Sequence, residues 1–568
     1  MGRKITLKEE PSKEIKEELK KYPNLLNHLL FSRGIKTLTE AESFLNLDYE
    51  EGIFNPFLIK GMQIAVERLL EAIQKNHKVM IYSDYDADGI PGAVILNDFF
   101  KKIGFLNFQN YIPNRLQEGY GLNTKAVEKF ISERVEVLIT IDCGITNITE
   151  IKLAQDKGID VILTDHHLVN GGELPPALVI LNSKQAGDDY PDEMLCGAGV
   201  VFKLIQALIE KGDFGIVKGW EKWLLDMVGL ATIADMVPLK KENRIFAKYG
   251  LLVMKKSPRV GLMKLLRKMK VDQKFLTEDD ISFMLAPRIN AASRVADPRI
   301  AFDLFSTGDE VIAGKLADQL DKLNNQRKTL MATAVREAKR KIKEKGLKEM
   351  IVVGHTDWNL GLSGLIASSL KDFYKRPCFV WGTDEQGHYC GSCRSETIDL
   401  MKLMNLVEEG VFAYCGGHRF AGGFGIVSEQ IYFLEEKLLQ AWEKIADKNP
   451  VEEIFVDKKL SLEDINWENY KYIEQLAPFG PENPKPLFLF ENIRIMQIRV
   501  FGKTSNHLEL VFANGNQHKI KAIDFFSQKI KDKKSSLQMG DSLSFLANFE
   551  KNVFGGKNEL RLRIVEII

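Results

Sequence analysis

The sequence predicts a multidomain α/β protein in which a long helix joins a parallel-sheet domain to a smaller α/β domain, followed by a β-barrel. Three observations predict this fold: a length of 568 residues, which exceeds what one hydrophobic core usually supports, the alternation of strand-like and helical stretches, and the loss of helical pattern near the C-terminus. We expect an N-terminal segment at 1–60, the parallel-sheet domain at 61–308, the connector helix at 309–346, the smaller α/β domain at 347–447 and the barrel at 448–568.

The parallel-sheet domain is predicted from apolar runs that alternate with helical stretches between residues 78 and 181. Buried parallel strands are typically continuous β-branched runs that are connected by helices. The runs lie at 79–81, 137–141, 161–163 and 178–180, and helical stretches lie at 65–73 and 147–157. Because glycine and acidic residues cluster after these runs, we expect a ligand site at the carboxyl ends of the strands.

The connector and the two later domains follow from changes in pattern along the chain. Residues 309–345 contain no proline and carry apolar residues at helical spacing, which predicts a helix of roughly 50 Å. A second α/β pattern begins at 350–353 and includes two glycine-rich stretches, 391–395 and 416–418, which we predict to be ligand loops. Beyond about residue 448, short alternating segments such as 493–495, 508–512 and 560–564 predict a small β-barrel.

The composition is that of a globular protein, with 45% hydrophobic and 27% charged residues, which excludes a largely disordered chain. The 78 basic and 78 acidic side chains balance, so a polyanion would have to bind at a local basic groove. No stretch is apolar enough to span a bilayer, and residues 1–20 lack the apolar core of a signal peptide. Together with only six cysteines, these features predict a cytoplasmic protein without a membrane partner.

Three carboxylates stand at alternate positions directly after the first apolar run. They are Asp84, Asp86 and Asp88, and Gly89 follows them. Carboxylates this close repel one another unless a positive charge neutralises them. Taken alone, the motif is also typical of a solvated acidic turn or of a calcium-binding loop. Its interpretation therefore depends on what the other strand ends carry.

The other predicted strand ends carry similar side chains. Asp142 follows the second run, His166 and His167 follow the third, and Asp235 lies in a later apolar stretch where an unpaired charge would be costly. Individually, Asp142 could cap a helix and the histidines could be core residues. Together they predict a site for two divalent cations, Mn²⁺ or Mg²⁺, because these ions suit mixed carboxylate and imidazole ligands. Such two-metal sites serve phosphodiester hydrolysis.

These motifs resemble the four signature motifs of the DHH phosphoesterases. The candidate catalytic residues are Asp84, Asp86, Asp88, Asp142, His166, His167 and Asp235. The resemblance implies that five of them bind the two metal ions, namely Asp86, Asp88, Asp142, His166 and Asp235. It further implies that Asp84 and His167 complete or support the site, that the parallel-sheet domain is a DHH domain, and that the smaller α/β domain is of the DHHA1 type.

Within that superfamily the chain resembles the bacterial RecJ exonucleases from about Arg33 to the C-terminus. The similar stretches are 33–35, 111–115, 118–121, 287–292, 391–395, 416–418 and 478–484. The resemblance implies a 5′→3′ exonuclease that is specific for single-stranded DNA, releases 5′-mononucleotides and serves DNA repair and recombination. It also implies an OB-fold in the barrel, and we expect a monomer that works with a helicase and a single-strand-binding protein.

The same resemblance assigns phosphate binding to the DHHA1 domain. The predicted substrate-binding residues are Arg115, Arg288, Asn290, Arg294, Ser392, Arg394, Gly417 and His418. Three of the arginines, Arg288, Arg294 and Arg394, can each bind a phosphate through two parallel hydrogen bonds, although a salt bridge is the alternative for any one of them. In the barrel, contacts with single strands are expected from Lys503, His507, Lys519, Lys521, Phe525 and Phe526, and the two phenylalanines are equally typical of a core.

Three alternatives stay open at this point. The chain could be a DHH phosphodiesterase for cyclic dinucleotides or short oligonucleotides, which would not need the barrel. It could also be a non-catalytic scaffold that binds single strands. Finally, Cys390, Cys393, Cys415 and His418 have the ligand spacing of a structural zinc site, although both pairs overlap stretches that the resemblance assigns to substrate.

Overall fold

The protein is described by a computed structural model that covers residues 4–169, 173–384, 386–445, 453–502, 505–515, 518–525, 527, 537–554 and 557–568. The chain forms two compact units. The first combines Met1–Gly52 with Val451–Ile568, and the second is Ile53–Pro450.

The first unit begins with one strand and four helices, β1 (Lys4–Leu7), α1 (Lys13–Glu18), α2 (Asn24–Phe31), α3 (Leu38–Leu45) and α4 (Tyr49–Gly52). Helix α3 begins where Thr37 and Glu40 form a capping box, which satisfies free N–H groups at the helix start. Helix α2 buries four leucines on its apolar side, Leu25, Leu26, Leu29 and Leu30.

The second unit contains the predicted parallel sheet. Its strands are β2 (Val79–Ser83), β3 (Phe108–Tyr111), β4 (Val137–Ile141), β5 (Asp160–Thr164) and β6 (Val179–Leu181). They are parallel and lie in the order β3-β2-β4-β5-β6. Every residue of β2 and β4 is buried, which explains why these strands read as continuous apolar runs.

Helices surround and extend this sheet. They are α5 (Met62–Lys75), α6 (Gly89–Lys102), α7 (Arg115–Glu118), α8 (Thr124–Ser132), α9 (Ile148–Asp156), α10 (Gly197–Lys211), α11 (Leu225–Ala234), α12 (Lys241–Met254), α13 (Val260–Met269), α14 (Glu278–Asp280), α15 (Ala286–Val295) and α16 (Arg299–Ser306). A π-helical turn, Ile281–Leu285, leads into α15. Helices α11 and α12 approach closely at Gly229 and Gly250, where a Cβ on Gly229 would lie 2.6 Å from the Cα of Gly250.

The predicted long helix is α17 (Glu310–Lys345), which has 36 residues. It begins at Asp309, whose carboxylate accepts hydrogen bonds from the backbone N–H groups of Val311 and Ile312. At 1.5 Å per residue its length is about 54 Å.

A second sheet follows α17. Its elements are β7 (Ile351–Gly354), α18 (Ser363–Tyr374), β8 (Cys378–Thr383), β9 (Tyr389–Arg394), α19 (Leu400–Asn405), β10 (Phe412–His418), β11 (Ala421–Ile426) and α20 (Leu434–Glu443), with the strand order β10-β11-β9-β8-β7. The expectation that the glycine-rich stretches are loops is wrong, because both lie largely in strands. A Cβ on Gly391 would clash with Val380 O, so glycine is needed there for the close approach of β9 to β8.

The first unit resumes with β12 (Glu453–Val456), β13 (Lys458–Lys459), α21 (Trp467–Glu474), β14 (Phe488–Arg494), β15 (Gln497–Phe501), β16 (His507–Ala513), β17 (Lys519–Asp524), β18 (Ser542–Phe554) and β19 (Lys557–Ile567). Strand β12 pairs with β1, and the others form a seven-stranded sheet in the order β13-β14-β18-β19-β17-β16-β15.

The N-terminal segment and the C-terminal strands share one hydrophobic core, which the sequence did not predict. The α2 leucines pack in the same cluster as Phe488, Phe490, Phe512 and Phe545. Arg33 also donates to Asn483 Oδ1 and to Pro484 O, each at 2.8 Å. Two stretches about 450 residues apart in the chain therefore hold each other in place.

Within the described residues, no helix combines the length and the apolarity needed to cross a membrane.

A buried ion-pair network joins three helices of the second unit. Arg259, at the start of α13, donates to Asp226 of α11 through Nε at 2.8 Å and Nη2 at 3.1 Å. Its Nη1 donates to Asp98 of α6 and to Phe305 O, each at 2.8 Å. Burial alone would lower the pKa of Arg259, but the two carboxylates raise it above its ordinary value. The arginine therefore fixes α6 against α11 as a permanent cation.

We expect Arg259→Met to lower the midpoint of thermal unfolding of the full chain by at least about 5 °C, because removing one member of a buried ionic network leaves buried charges unpaired. Differential scanning calorimetry measures this shift. Lys264→Met, which removes a pair with the exposed Glu310, is the control and should shift the midpoint by less than about 1 °C. Equal shifts in the two variants would contradict the assigned role of Arg259.

Candidate metal centre

The seven candidate catalytic side chains converge at the carboxyl ends of the parallel strands. Three overlapping groups place their ligand atoms within 4.8 Å of one another: Asp84, Asp86 and Asp142; Asp142, His166 and His167; and Asp88, His166 and Asp235. The three aspartates of 84–88 follow β2, Asp142 follows β4 and the histidines follow β5, while Asp235 stands at the end of α11. The parallel sheet and one helix end therefore bring the set together.

His166 lies at the centre of the cluster. Its Nε2 is 3.1 Å from Asp142 Oδ1, 3.6 Å from Asp88 Oδ2 and 3.7 Å from Asp235 Oδ2. Burial, followed by repulsion from His167, lowers the pKa of His166 to about 3. The imidazole is therefore neutral at physiological pH, which is the form that binds a metal ion.

The loop that carries Asp84, Asp86 and Asp88 is held by backbone contacts. Asp86 Oδ1 accepts from the backbone N–H groups of Asp88 at 2.8 Å and Gly89 at 3.2 Å. Any Cβ on Gly89 would clash with the backbone of Asp84, which explains the glycine after the third carboxylate. Asn290, predicted to bind substrate, accepts at 2.8 Å from the N–H of Ala87 and so supports this loop directly.

Both carboxylate oxygens of Asp88 are held by the start of α10. Gly197 N donates to Oδ2 at 2.6 Å and Ala198 N donates to Oδ1 at 2.7 Å. Free N–H groups and the helix dipole make a helix N-terminus favourable for an anion. Gly197 is also required for space, because its Cβ would lie 2.6 Å from Asp142 Cβ. Sequence reasoning missed this contribution, and the small residues 197–199 before an apolar helix were the available signal.

Asp142 adopts a backbone conformation that is uncommon for residues other than glycine. Its φ is +60°, in the left-handed region that Asp and Asn tolerate better than most residues. The strand therefore ends abruptly at Asp142, which is buried and whose side chain points into the cluster.

Asp165 organises the two histidines and was not among the predicted site residues. Its Oδ1 accepts from His166 N at 2.7 Å and from His167 Nδ1 at 2.8 Å, and its Oδ2 accepts from Ile145 N at 3.0 Å. Burial alone would raise the pKa of Asp165, but these hydrogen bonds lower it below its usual value. Asp165 therefore stays ionised and fixes the ring of His167. Its place directly before the two histidines was the signal in the sequence.

Two further residues that the sequence did not single out contact this group. Tyr120 Oη lies 3.3 Å from His167 Nδ1 and 3.3 Å from the carbonyl oxygen of Asp142. Lys184 Nζ donates to His166 O at 2.5 Å. The positive charge of Lys184 also lies near Asp235 and partly offsets the rise in the pKa of that carboxyl.

Burial and mutual repulsion raise the pKa of four carboxyl groups in the cluster. The pKa of Asp88 rises to about 7 and that of Asp235 to about 8, first because of burial and then because of neighbouring carboxylates. For the same reasons, the pKa values of Asp84 and Asp142 lie well above their ordinary range. Without added positive charge, the cluster therefore retains protons.

The donors fit divalent cations. In the described part of the chain, the buried atoms Asp84 Oδ1 and Asp142 Oδ1 accept no hydrogen bond, although neutral His166 Nε2 lies 3.1 Å from the latter. Two acceptors this close, in a cluster that protonation must otherwise neutralise, are typical of a metal site. Carboxylate oxygens with one or two imidazoles suit Mn²⁺ or Mg²⁺. These residues can therefore hold the two cations.

Three of the predicted phosphate-binding arginines lie together beside the acidic cluster. Arg115 stacks on the ring of Tyr85 at 5.3 Å, and its charge acts on Asp84, Arg294 and Arg394. Burial, followed by repulsion from Arg115 and Arg327, lowers the pKa of Arg294 to about 10. This pocket of partly buried positive charge is therefore suited to an anion.

The second domain completes the pocket. Arg294 Nη1 donates to Gly361 O at 2.7 Å, and Ser392 Oγ lies 2.9 Å from Ser363 Oγ at the start of α18. Arg394 lies so close to Gly364 that a Cβ there would be 2.8 Å from Arg394 Nη2. Arg115, Arg294, Ser392 and Arg394 therefore occupy one region.

Three other predicted substrate contacts are placed differently. Arg288 forms a buried pair with Asp321 of α17 at 2.8 Å and donates to Met284 O, so a bidentate phosphate contact would require breaking this pair. The contacts of Arg288 are therefore those of a structural salt bridge, which was the alternative to phosphate binding. Gly417 and His418 lie at the exposed end of β10, and no hydrogen bond or ion pair of the His418 side chain occurs among the described residues.

The alternative zinc site is not supported by strand geometry. Cys390 and Cys393 are three residues apart in β9, so their side chains point to opposite faces of the sheet. Cys393 is buried in the core, whereas Cys390 is partly exposed. In the part of the chain that the structure describes, the side-chain groups close enough to share a metal ion contain no cysteine.

The predicted nucleic-acid contacts of the barrel are partly described. His507 packs against Phe501 and Phe525, with Arg561 and Arg563 about 6 Å from the Phe525 ring. Lys519 lies at the exposed start of β17, and Lys521 pairs with Glu559 at 2.7 Å. Lys503 and Phe526 lie outside the described residues.

Sequence profiles of known families match most of the chain. Residues 78–232 match the DHH family, N-terminal domain, residues 347–445 match the DHHA1 domain, and residues 456–566 match the RecJ OB domain.

Individual relatives cover nearly the whole chain. The single-stranded-DNA-specific exonuclease RecJ of Bacillus subtilis is 34% identical over 561 residues, which are 97% of this chain and 69% of the relative. The protein of the same name from Haemophilus influenzae is 31% identical over 86% of each chain. The crystal structure of Thermus thermophilus RecJ in complex with Mn²⁺ matches with a TM-score of 0.80 and 25% identity, over 100% of this chain and 79% of that one.

The raised pKa values predict a pH-dependent stability in the absence of divalent cations. Unfolded carboxyl groups have pKa values near 4, whereas Asp88 and Asp235 titrate at about 7 and about 8 in the folded protein. The folded state therefore binds more protons, and stability falls as the pH rises from about 5 to about 8. We expect the thermal midpoint of chelator-treated protein to be lower at about pH 8.5 than at about pH 6, and Mn²⁺ to raise it more at the higher pH.

Asp142→Asn is the matched variant for this measurement, because asparagine keeps the shape and tolerates the left-handed backbone. It removes one repelling carboxylate, so the chelated variant should show a weaker pH dependence and a smaller response to Mn²⁺. A Mn²⁺ response of equal size at both pH values in the wild type would contradict the assignment.

Proposed function

This chain belongs to the RecJ family of single-stranded-DNA-specific exonucleases, and from that premise we propose that it hydrolyses single-stranded DNA from the 5′ end and releases 5′-mononucleotides. The observation that carries this proposal is that two sites of opposite charge lie next to each other in one unit. The acidic cluster can hold two cations, and the pocket of Arg115, Arg294, Ser392 and Arg394 beside it can hold a phosphate.

Mn²⁺ or Mg²⁺ ions bound at the cluster would activate water and neutralise charge on the scissile phosphate. We assign their binding to Asp86, Asp88, Asp142, His166 and Asp235. Backbone N–H groups of α10 orient Asp88, and the lowered pKa of His166 keeps its ring unprotonated. Asp84 and His167 support the site, the latter through the ring position that Asp165 imposes.

The arginine pocket accounts for the polarity of the reaction. A terminal 5′ phosphate presents more negative charge and more free oxygens than an internal phosphodiester, so the partly buried arginines favour it. Arg394 and Ser392 would receive this group next to the start of α18, where the helix dipole adds positive potential. With the 5′ phosphate held there, the adjacent phosphodiester lies at a fixed distance along the strand and reaches the cations.

Several finer features belong to the same proposal and rest on the family resemblance. They are cooperation with a helicase and a single-strand-binding protein, the monomeric state, the cytoplasmic location, the role in DNA repair and recombination, and the predicted domain limits. The OB domain would bind single strands through partly exposed basic and aromatic side chains such as those around Phe525.

The direct test uses end-labelled oligonucleotides of graded length with Mn²⁺. We expect mononucleotides from the 5′ end of single strands, resistance of blunt duplexes, and a loss of rate of at least about 100-fold in Asp142→Ala, because that change removes a candidate ligand. Asp156→Ala is the control, since Asp156 forms only an exposed pair with Lys152. Cleavage of dinucleotides alone would indicate a small-substrate phosphodiesterase, and absence of any cleavage would indicate a scaffold.

Arg394→Lys tests the phosphate pocket. Lysine keeps the charge but loses the paired donors, so kcat/KM for a 5′-phosphorylated strand should fall about tenfold or more, while a 5′-hydroxyl strand is little affected. Arg376→Lys, in the same domain and paired with Glu349, is the control and should change neither value. An equal loss with both substrates would mean that Arg394 only supports the fold.

A further inference from the structure

A groove of about 490 Å³ runs along the outer edge of β3. Strand β3 is at the edge of the parallel sheet, and all four of its residues line the groove. Helices α6, α8 and α16 add Lys101, Lys129 and Arg299 to the lining. The groove thus combines a strand edge with side chains from three helices.

The outer edge of β3 has free backbone hydrogen-bonding groups. Val79 N donates to Asn107 O at 3.0 Å, and Val79 pairs in register with Phe108. Because alternate residues of a parallel strand face the neighbour, Gln109 is bonded to β2 while the N–H and C=O groups of Phe108 and Asn110 point outward. Among the described residues these four groups have no hydrogen-bond partner. An extended chain could therefore pair with them.

A side-chain atom in the same groove also lacks a partner. Asn110 Oδ1 is buried without a hydrogen bond in the described part of the chain, while its Nδ2 makes only a 3.4 Å contact with Asn97 Oδ1. A buried amide oxygen of this kind normally finds a donor.

The charge of the groove is positive. Of the lining residues, three are cations and none is acidic. Within the described ranges, Lys101 and Arg299 form no ion pair within 4 Å, and Lys129 has only a 3.9 Å contact with Glu133. The groove therefore favours an anionic occupant.

The aromatic side chains of the groove favour a peptide over a nucleotide. The Tyr111 ring is stacked on Tyr82 at 5.6 Å and covered by Lys129 Nζ at 5.0 Å. Phe108 packs against Phe100 and Phe105. Base stacking needs a free ring face, whereas strand pairing needs a free backbone edge, and the groove offers the latter.

We propose that this groove binds an extended acidic segment of a partner protein, which adds to β3 as a sixth strand. Backbone pairing with Phe108 and Asn110 supplies the fixed register, and acidic side chains of the segment face Lys101, Lys129 and Arg299. This site is independent of the exonuclease reaction, because none of these residues belongs to the metal centre or the phosphate pocket.

The charge requirement is tested with a fluorescein-labelled eight-residue peptide of alternating aspartate and valine and the full-length chain. We expect saturable binding by fluorescence anisotropy, and at least about tenfold weaker binding to the double variant Lys101→Glu/Arg299→Glu, because like charges then face each other. The double variant Lys125→Glu/Lys157→Glu is the control of equal charge change at exposed positions outside the groove and should bind within about twofold of wild type. A peptide of alternating lysine and valine should not bind.

The backbone requirement is tested with Asn110→Pro and Asn110→Ala. Proline removes the outward N–H of residue 110 and leaves the bonds of Gln109 and Tyr111 to β2 intact, so the fold tolerates it at this edge. Alanine removes the same side chain and keeps the N–H. We expect at least about tenfold weaker peptide binding in the proline variant than in the alanine variant, with unchanged thermal midpoints and exonuclease rates in both.

Three results would overturn the proposal. The first is equal peptide binding by the proline and alanine variants, which would exclude strand addition. The second is no saturable binding of the acidic peptide by the wild type, which would mean that the cations only protect a bare edge from aggregation. If a labelled octathymidylate, in chelator, instead loses affinity in the double variant, the groove is a nucleic-acid surface and the peptide proposal is wrong.

Discussion

Repulsion among buried carboxylates is the constraint on which the rest of the catalytic unit depends. Asp84, Asp88 and Asp142 are buried and Asp235 is partly buried, and neighbouring carboxylates, including Asp86 in every case, add to the effect of burial in raising their pKa values. The fold limits this cost with backbone N–H groups at the start of α10 and by keeping His166 neutral. What remains is negative charge that two divalent cations can neutralise, and this excess makes the site selective for cations.

Such a cluster would push its own supports apart unless they were rigid. Two of the candidate ligands stand at the ends of helices, because Asp88 directly precedes α6 and α11 ends just before Asp235. Both helices are fixed to Arg259 through Asp98 and Asp226, near their far ends. The close contact of Gly229 with Gly250 holds α11 further against α12. The positions of the ligands therefore depend on packing well away from them.

Opposite charges are separated over a short distance beside the sheet. The net charge of the whole chain is zero, yet one side of the site concentrates carboxylates and the other concentrates arginines. Burial strengthens the electric fields of the carboxylates and of the arginines, because little water is present to screen them. A strand of DNA has a phosphate at each nucleotide, so a terminal phosphate can lie among the arginines while its neighbour meets the cations. Local arrangement, rather than net charge, thus makes a neutral protein suited to a polyanion.

The sequence by itself determined the features that depend on local pattern. Continuous apolar runs predicted β2, β4 and β5, and the side chains after each run were expected to meet, because parallel strands end on the same edge. Helical spacing without proline predicted α17. These features can be predicted because the spacing of apolar side chains in a strand or a helix repeats within a few consecutive residues.

Only the tertiary structure decided which distant residues became partners. Gly197 and Ala198 hold a carboxylate 109 and 110 positions earlier in the chain, Arg288 pairs with Asp321 rather than remaining free, and α2 packs with strands near the other end of the chain. In the glycine-rich strands, Gly391 and Gly417 are needed because neighbouring backbone atoms lie too close there for a Cβ. The physical reason is that a hydrogen bond, an ion pair or a close backbone contact depends on geometry in three dimensions, and packing of the whole unit sets that geometry.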